Sequence, residues 1–312
     1  MQPNRTNYTP TAEPQPLRSL LMLVGFVLLG MTFGNALALA LVALLPMAGG
    51  GPTALLDLLQ HPADYPDAWY TIMLVQAISH VCSFLLPSLA YWYVVDKRRP
   101  ADFNFRPLPA AAILALVALL VIAFMPFNVL IIEWNQGVRL PETLAPLDQW
   151  MRRQEDQLAE LTKYLTTFNT VDQLLIALLV IAVLPALGEE MLFRGILQRK
   201  FIVWTGNVHV GIWLAAILFS AIHVQFFGFV PRVLLGALFG YLYVWSGNFW
   251  VPVLAHFVNN GFTVLMVYLH QHRLVSFDIE NTDSVPVAGA LVSLLVSVAL
   301  LVYLRRSTTP TP

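Results

Sequence analysis

The chain of 312 residues is 58% hydrophobic and only 11% charged, with a net charge of −1. Ordinary soluble domains carry about 25% charged residues, so this composition excludes a soluble globular protein and offers no basic surface for nucleic acid. It implies an all-α fold, a polytopic transmembrane helix bundle. The single cysteine, Cys82, excludes an internal disulfide framework and, lying in an apolar run, is expected to serve packing.

Residues 1–16 are polar and proline-bearing, the composition of a disordered tail. A membrane-crossing helix needs about 20 predominantly apolar residues. About eight candidates follow, near 18–45, 69–95, 109–134, 171–197, 208–226, 231–246, 249–269 and 286–304. The first is longer than a signal-peptide core and is expected to be retained, although its Ala-Leu-Ala-Leu-Ala segment looks like a cleavage site. The sixth is short and is expected to tilt little or cross incompletely. Pro87, Pro126 and Pro185 fall inside spans and should kink them, with the freed carbonyls satisfied by neighbouring helices. The chain then divides into the tail, three spans over 17–134, a polar connection over 135–170, four spans over 171–270, and a loop, last span and short basic tail over 271–312.

Loop charge sets orientation. The 96–108 loop carries Lys97, Arg98, Arg99 and Arg106, the connection after the fourth span carries Arg199 and Lys200, and the C-terminus carries Arg305 and Arg306. The alternate loops are acidic, with Asp57, Asp64 and Asp67 in one, and Asp278, Glu280 and Asp283 against Arg273 in the other. Both termini are therefore expected in the cytoplasm, the chain lying in the plasma membrane. Within the polar connection, Leu147, Trp150, Met151, Leu158, Leu161 and Leu165 form one helical stripe. Arg152, Arg153, Glu155, Asp156, Glu160 and Lys163 form the other face, which predicts an amphipathic helix lying at the membrane surface or packed on the bundle as a solvated linker.

The chemistry is expected at Glu189 and Glu190, adjacent carboxylates in an apolar stretch with Arg194 four residues on. A carboxylate at membrane depth costs several kcal/mol, so an ionisable group there marks a function. Adjacent helical residues point about 100° apart, so the two glutamates cannot share a role. Glu190 and Arg194 stand at i,i+4 and form a structural ion pair, leaving Glu189 as the free base. Two further spans hold Phe219-Ser-Ala-Ile-His223 and His256-Phe-Val-Asn-Asn260, which place His223 and the His256–Asn260 pair at helical spacing. A carboxylate, two imidazoles and an amide converging in a lipid-shielded cavity suit hydrolysis: the base takes a proton from water, and imidazole and amide N–H groups face the oxyanion. There is no H-E-x-x-H zinc helix and no G-x-S-x-G elbow. His80 and His209 read as packing or interface residues, His61, His270 and His272 as loop residues, Arg232 as a snorkelling cation at a span boundary, and the tryptophans Trp69, Trp92, Trp134, Trp204, Trp245 and Trp250 mostly as an interface belt. At 1.5 Å per residue His223 lies roughly 7–9 Å farther along its helix from the 201–207 turn than the level of Glu189 requires, and a separation beyond about 10 Å would defeat a shared site.

The order E-E-x-x-x-R, F-x-x-x-H, H-x-x-x-N on successive apolar helices, with the flanking Glu-Glu-Met-Leu-Phe-Arg-Gly and Leu-Ala-His-Phe-Val-Asn-Asn, resembles the CPBP (ABI) family. That family takes in type II CAAX prenyl endopeptidases and bacteriocin-processing and self-immunity proteins. The resemblance covers roughly residues 171–265 and implies an intramembrane endopeptidase. It implies Glu189 as the water-activating glutamate, His223 as an assisting or binding residue, and His256 with Asn260 as the oxyanion stabiliser. Asn259 fits the i+3 position, so the choice of Asn260 rests on the family spacing. The substrate implied is a membrane-associated peptide, such as a prenylated C-terminal tail or a leader peptide, with membrane lipid as the other partner. Members are often described as metalloproteases, and Glu189, His223 and His256 could hold a divalent metal such as zinc. The same residues serve a metal-free glutamate protease, which the i,i+4 His-Asn pair suits as it stands. Rival readings are a non-catalytic scaffold or immunity protein and a proton-coupled carrier, the latter weakened by the lack of an inverted repeat.

Overall fold

The computed structural model describes residues 16–44, 58, 62–65, 67–279 and 285–308. The expected N-terminal tail and the loop residues Asp57, His61, Glu280 and Asp283 lie outside the described residues. Nine helices carry the described chain: α1 (Pro16–Leu44), α2 (Ala68–Val94), α3 (Ala111–Gln136), α4 (Ala145–Leu165), α5 (Val171–Thr205), α6 (Val208–Ala221), α7 (Phe229–Ser246), α8 (Trp250–Gln271) and α9 (Val287–Thr308). Seven of them are long and apolar enough to cross a membrane, which makes this an integral membrane protein with an all-α bundle. The expected fifth span, 208–226, is the short one: α6 has 14 residues and ends at Ala221, whereas α7, expected to be short, has 18.

The fourth span also differs. Its helix does not stop near residue 197 but runs on to Thr205, and the chain turns at Gly206. Arg199 and Lys200 are therefore not loop residues. Both are 5% exposed inside α5, where Arg199 donates to the Asp102 carbonyl at 2.9 Å and Lys200 pairs with Asp96 at 3.1 Å. This extension settles the level of His223. Glu189 and His223 are equidistant in sequence from Gly206, so an antiparallel α5–α6 hairpin brings them to the same height.

The described chain ends share one end of the bundle. There Arg106 donates to the Thr308 carbonyl at 2.6 Å, Phe105 N–H meets the Gly247 carbonyl at 2.7 Å, and Ser19 at the start of α1 bonds Tyr91 near the end of α2. At the opposite end Trp69 Nε1 donates to the Leu165 carbonyl at 3.0 Å, and Phe168 N–H to Gln271 Oε1 at 2.9 Å. Trp69 and Trp92, expected in an interface belt, are core residues at 6% and 2% exposure, while Trp134 and Trp250 are exposed.

The prolines behave as helix chemistry requires. Pro126 lies inside α3, and one residue on Ser293 Oγ from α9 accepts from Phe127 N–H and donates to the Ala123 carbonyl, taking the place of a helical bond. In α2 and α5, wide π-type turns over Val81–Leu85 and Leu178–Val183 lie just before Pro87 and Pro185.

The α4 helix is present, and Leu161 and Leu165 of the expected stripe pack in the core while Arg153, Asp156, Glu160 and Lys163 are exposed; the stripe departs only toward the start of the helix. Leu147 and Trp150 are 44% and 41% exposed, while Arg152 and Glu155 turn toward the bundle. The reason is the aromatic 222–228 connection beneath them: the Arg152 guanidinium stacks on the Phe227 ring at 4.2 Å, and Trp150 meets Phe226 at 5.5 Å. The Arg152 side chain also bonds Asp148 at 2.8 Å and holds that carboxyl below the usual carboxylate range.

Gly30 and Gly34 of α1 face the π-type turn of α2 at Cys82, a small-xxx-small contact that lets two backbones touch. A methyl group on Gly30 would overlap the Cys82 carbonyl oxygen. Gly30→Ala is therefore expected to cost about 1–3 kcal/mol, read as a lowered melting temperature in detergent, with Gly25→Ala, which meets nothing, unchanged.

Candidate active site

Pro185 has no N–H, so the Ile181 carbonyl one turn earlier loses its helical donor. Asn260 Nδ2 of α8 supplies it at 2.9 Å, and Asn260 Oδ1 in turn accepts from Asn259 at 3.0 Å. This bond docks α8 on α5. One turn before Asn260, His256 then meets Glu190, its Nδ1 standing 2.8 Å from Oε1. The same oxygen takes Arg194 Nη1 at 2.6 Å, so the expected Glu190–Arg194 pair is present and serves a third residue as well. Arg194 also donates to the Gly236 carbonyl at 2.9 Å and packs on the rings of Phe219 and Phe239. Glu190 and Arg194 are 0% and 1% exposed. A carboxylate with so little water needs such partners, because an unpaired buried charge is far more costly than a paired one.

Glu189 has no direct bond of this kind. Three histidine nitrogens stand 4.0 Å from it: His80 Nδ1 from Oε1, and His223 Nε2 and His256 Nε2 from Oε2. Glu189, His223 and His256 are thus brought together, with Asn260 one turn along α8 and tied to Ile181. His223 sits just past the end of α6, where its ring packs against Phe219 at 5.1 Å. His80 was missed by sequence reasoning, which assigned it to packing. Its place depends on Gly188: a Cβ there would come within 3.0 Å of His80 Nε2, so only a bare backbone lets α2 approach. A histidine in an apolar span is the one signal that could have found it.

The ring orientations follow from the partners. His223 Nδ1 lies 2.7 Å from the Phe219 carbonyl, which can only accept, so Nδ1 carries the proton. His256 Nδ1 likewise donates to the Glu190 carboxylate. In the neutral form each ring, its proton fixed on Nδ1, turns a bare Nε2 toward Glu189 Oε2. Separations of 4.0 Å exceed a direct hydrogen bond and allow a single water to touch both atoms of each pair. Such a water would meet three acceptors with two protons to give, a strongly polarising setting.

The donor types are also those of a zinc site, but the spacing is not. Bonds of about 2.0 Å set tetrahedral ligand atoms about 3.3 Å apart. The Glu189–histidine separations are 4.0 Å, and among the described residues no His, Cys, Asp and Glu group has metal-holding geometry.

Residues 171–262 match the family described as type II CAAX prenyl endopeptidase Rce1-like. The matched segment contains Glu189, Glu190, Arg194, His223, His256 and Asn260 but not His80. A curated relative, the uncharacterized protein YpbD of Bacillus subtilis (strain 168), is 35% identical over 108 residues, which cover 33% of this chain and 52% of that protein. The chain therefore spans about half the length of the relative it matches. No solved structure matches.

Removing Arg194 from the Rce1-like segment strands Glu190. Arg194→Met is expected to cost about 3–5 kcal/mol, measured by thermal unfolding in detergent. The double variant Glu190→Gln/Arg194→Met should recover much of it, since both charges are gone; equal losses in the two would count against the pair.

Proposed function

We propose that the chain is an intramembrane endopeptidase that hydrolyses a peptide bond of a membrane-associated substrate, either a CAAX-type prenylated tail or a leader or bacteriocin-like peptide. The observation that carries this is the buried Glu189 carboxylate, faced on one oxygen by the Nε2 atoms of His223 and His256, inside the Rce1-like segment. Residues 171–270 would form the catalytic core. Membrane lipid is the surrounding partner and nucleic acid is not one. The end of the bundle that holds both described chain ends also carries Lys97, Arg98, Arg99, Arg106, Arg305 and Arg306, which supports cytoplasmic termini in the plasma membrane.

In this reaction Glu189 takes a proton from water as the oxygen bonds to the substrate carbonyl carbon. His223, held by the Phe219 carbonyl, orients that water, and His80 orients the carboxylate from its other oxygen. The oxyanion that forms is met by the Asn260 amide hydrogen not spent on Ile181, and by His256 in its doubly protonated form, with Nδ1–H kept on Glu190 and Nε2–H turned to the oxyanion. Glu189 then gives its proton to the leaving nitrogen as the C–N bond breaks. No step needs a metal, consistent with the wide spacing of the three candidate ligands.

The test is cleavage of a quenched farnesylated CAAX peptide, and of a leader peptide, by purified protein in detergent. Glu189→Gln should keep the fold and lower turnover by about 10²- to 10⁴-fold, the usual worth of a general base. A chelator should leave the wild type active. Activity lost to chelator and restored by zinc would instead assign a metal to Glu189, His223 and His256. Wild-type protein that cleaves neither peptide, or a Glu189→Gln variant as active as wild type, would sink the endopeptidase reading and favour a scaffold or immunity protein. Flux of protons altered by Glu189→Gln without cleavage would favour a carrier.

A further inference from the structure

Arg232 was expected to snorkel to the membrane surface, and it does not. Its Nη2 donates to Gln225 Oε1 across the connection between α6 and α7. Its Nη1 is buried with no hydrogen-bond partner. Its charge is felt by Glu155 of α4 and the catalytic candidate Glu189, neither of them in ion-pair contact with it. Glu155 Oε2 is buried without a partner too. A half-buried guanidinium with a free donor edge, within electrostatic reach of two carboxylates it does not bond, is poorly accounted for by stability alone, since a buried charge lacking a close partner is costly.

The surrounding backbone is built to aim this pair. Val224 lies between His223 and Gln225 with φ of +53°, a left-handed conformation that a β-branched residue adopts only under constraint. That turn sends His223 toward Glu189 and Gln225 toward Arg232. Asn135 at the end of α3 fixes the connection from the other side, accepting from Val230 N–H at 2.9 Å and donating to the Phe226 carbonyl at 3.3 Å. The α4 helix covers the same connection through Arg152 on Phe227.

We infer that Arg232, braced by Gln225, is a subsite for a carboxylate of the peptide substrate, and that Glu155 of α4 stands over it until substrate enters. This rests on the endopeptidase reading and adds to it the charge of the substrate group. A guanidinium fork matches a carboxylate with two parallel hydrogen bonds, which a neutral amide cannot reproduce. The carboxylate of a peptide ending a few residues from the scissile bond is the simplest group to fill it. Glu155 would then be a competing anion that the substrate displaces.

The experiment compares one quenched farnesylated CAAX peptide made as the C-terminal acid and as the C-terminal amide, cleaved by full-length protein in detergent. Wild type should prefer the acid by about 10- to 100-fold in kcat/KM, the range for a charged hydrogen-bonded contact. Arg232→Gln should raise KM for the acid and leave the amide unchanged, so that the preference disappears; Arg232→Lys should retain part of it. Glu155→Gln should lower KM for the acid alone. Equal losses on both peptides would mean that Arg232 only balances charge in the fold, and would overturn the subsite, as would an acid preference that survives Arg232→Gln. Calorimetric titration of the acid and amide forms of the released tripeptide into Glu189→Gln and Glu189→Gln/Arg232→Gln proteins decides the matter without turnover. Acid-selective binding lost with Arg232 supports the subsite even if no cleavage is seen, and binding that ignores the terminal group refutes it.

Discussion

The Glu190 carboxylate is closed off from water, and four helices meet in the bonds that keep it there. Its Oε1 receives Arg194 from its own helix and His256 from α8; Arg194 reaches on to the α7 backbone at Gly236 and lies against Phe219 of α6. In an apolar interior nothing else could compensate that charge, so the mutual positions of α5, α6, α7 and α8 are coupled through one oxygen atom. The aromatic rings complete the arrangement: Phe239 stacks on His256 at 5.4 Å while also facing the Arg194 guanidinium. A buried ion pair seldom adds stability over an apolar core of the same shape. Its value here is geometric, because it holds His256 in one orientation with Nε2 directed at the neighbouring glutamate.

That division of labour explains how two adjacent glutamates coexist. Glu190 is spent on direct contacts as short as 2.6 Å, whereas Glu189 has only partners at 4.0 Å, near enough to act through a water and too far to neutralise it. The helical angle between consecutive residues separates the two roles, and Pro185 reinforces the separation. By removing one helical donor it creates a carbonyl that Asn260 must satisfy, and this draws α8 against α5 at the height where His256 is needed. A residue expected to stabilise an oxyanion is thus first a structural tie.

Much of this was legible in the residues. Apolar runs marked the spans, i,i+4 spacing marked the Glu190–Arg194 pair, and the scarcity of other charges pointed to Glu189, His223 and His256. What was not legible depended on approach between helices rather than on any one helix. His80 looks like packing until Gly188 lets α2 come close. Arg199 and Lys200 look like a loop because charge usually ends a span, yet Asp96 and the Asp102 carbonyl make burial tolerable and carry α5 on to Gly206. The apparent mismatch in height between Glu189 and His223 came from placing that turn too early. The α4 stripe holds at Leu161 and Leu165 and departs only near the start of the helix, where cation–π contact with Phe227 turns Arg152 inward and leaves Leu147 and Trp150 exposed.

His80 also bears on how far the Rce1-like segment stands alone. The matched residues supply everything on the Oε2 side of Glu189, but the Oε1 side is faced by α2, which lies outside the match. The glycines of α1 hold that same helix at Cys82, two residues beyond His80. Without α1 and α2, Glu189 Oε1 would lose the ring that faces it, and so would the backbone bared at Gly188. The N-terminal spans are therefore part of the wall that shapes the site rather than an anchor appended to it.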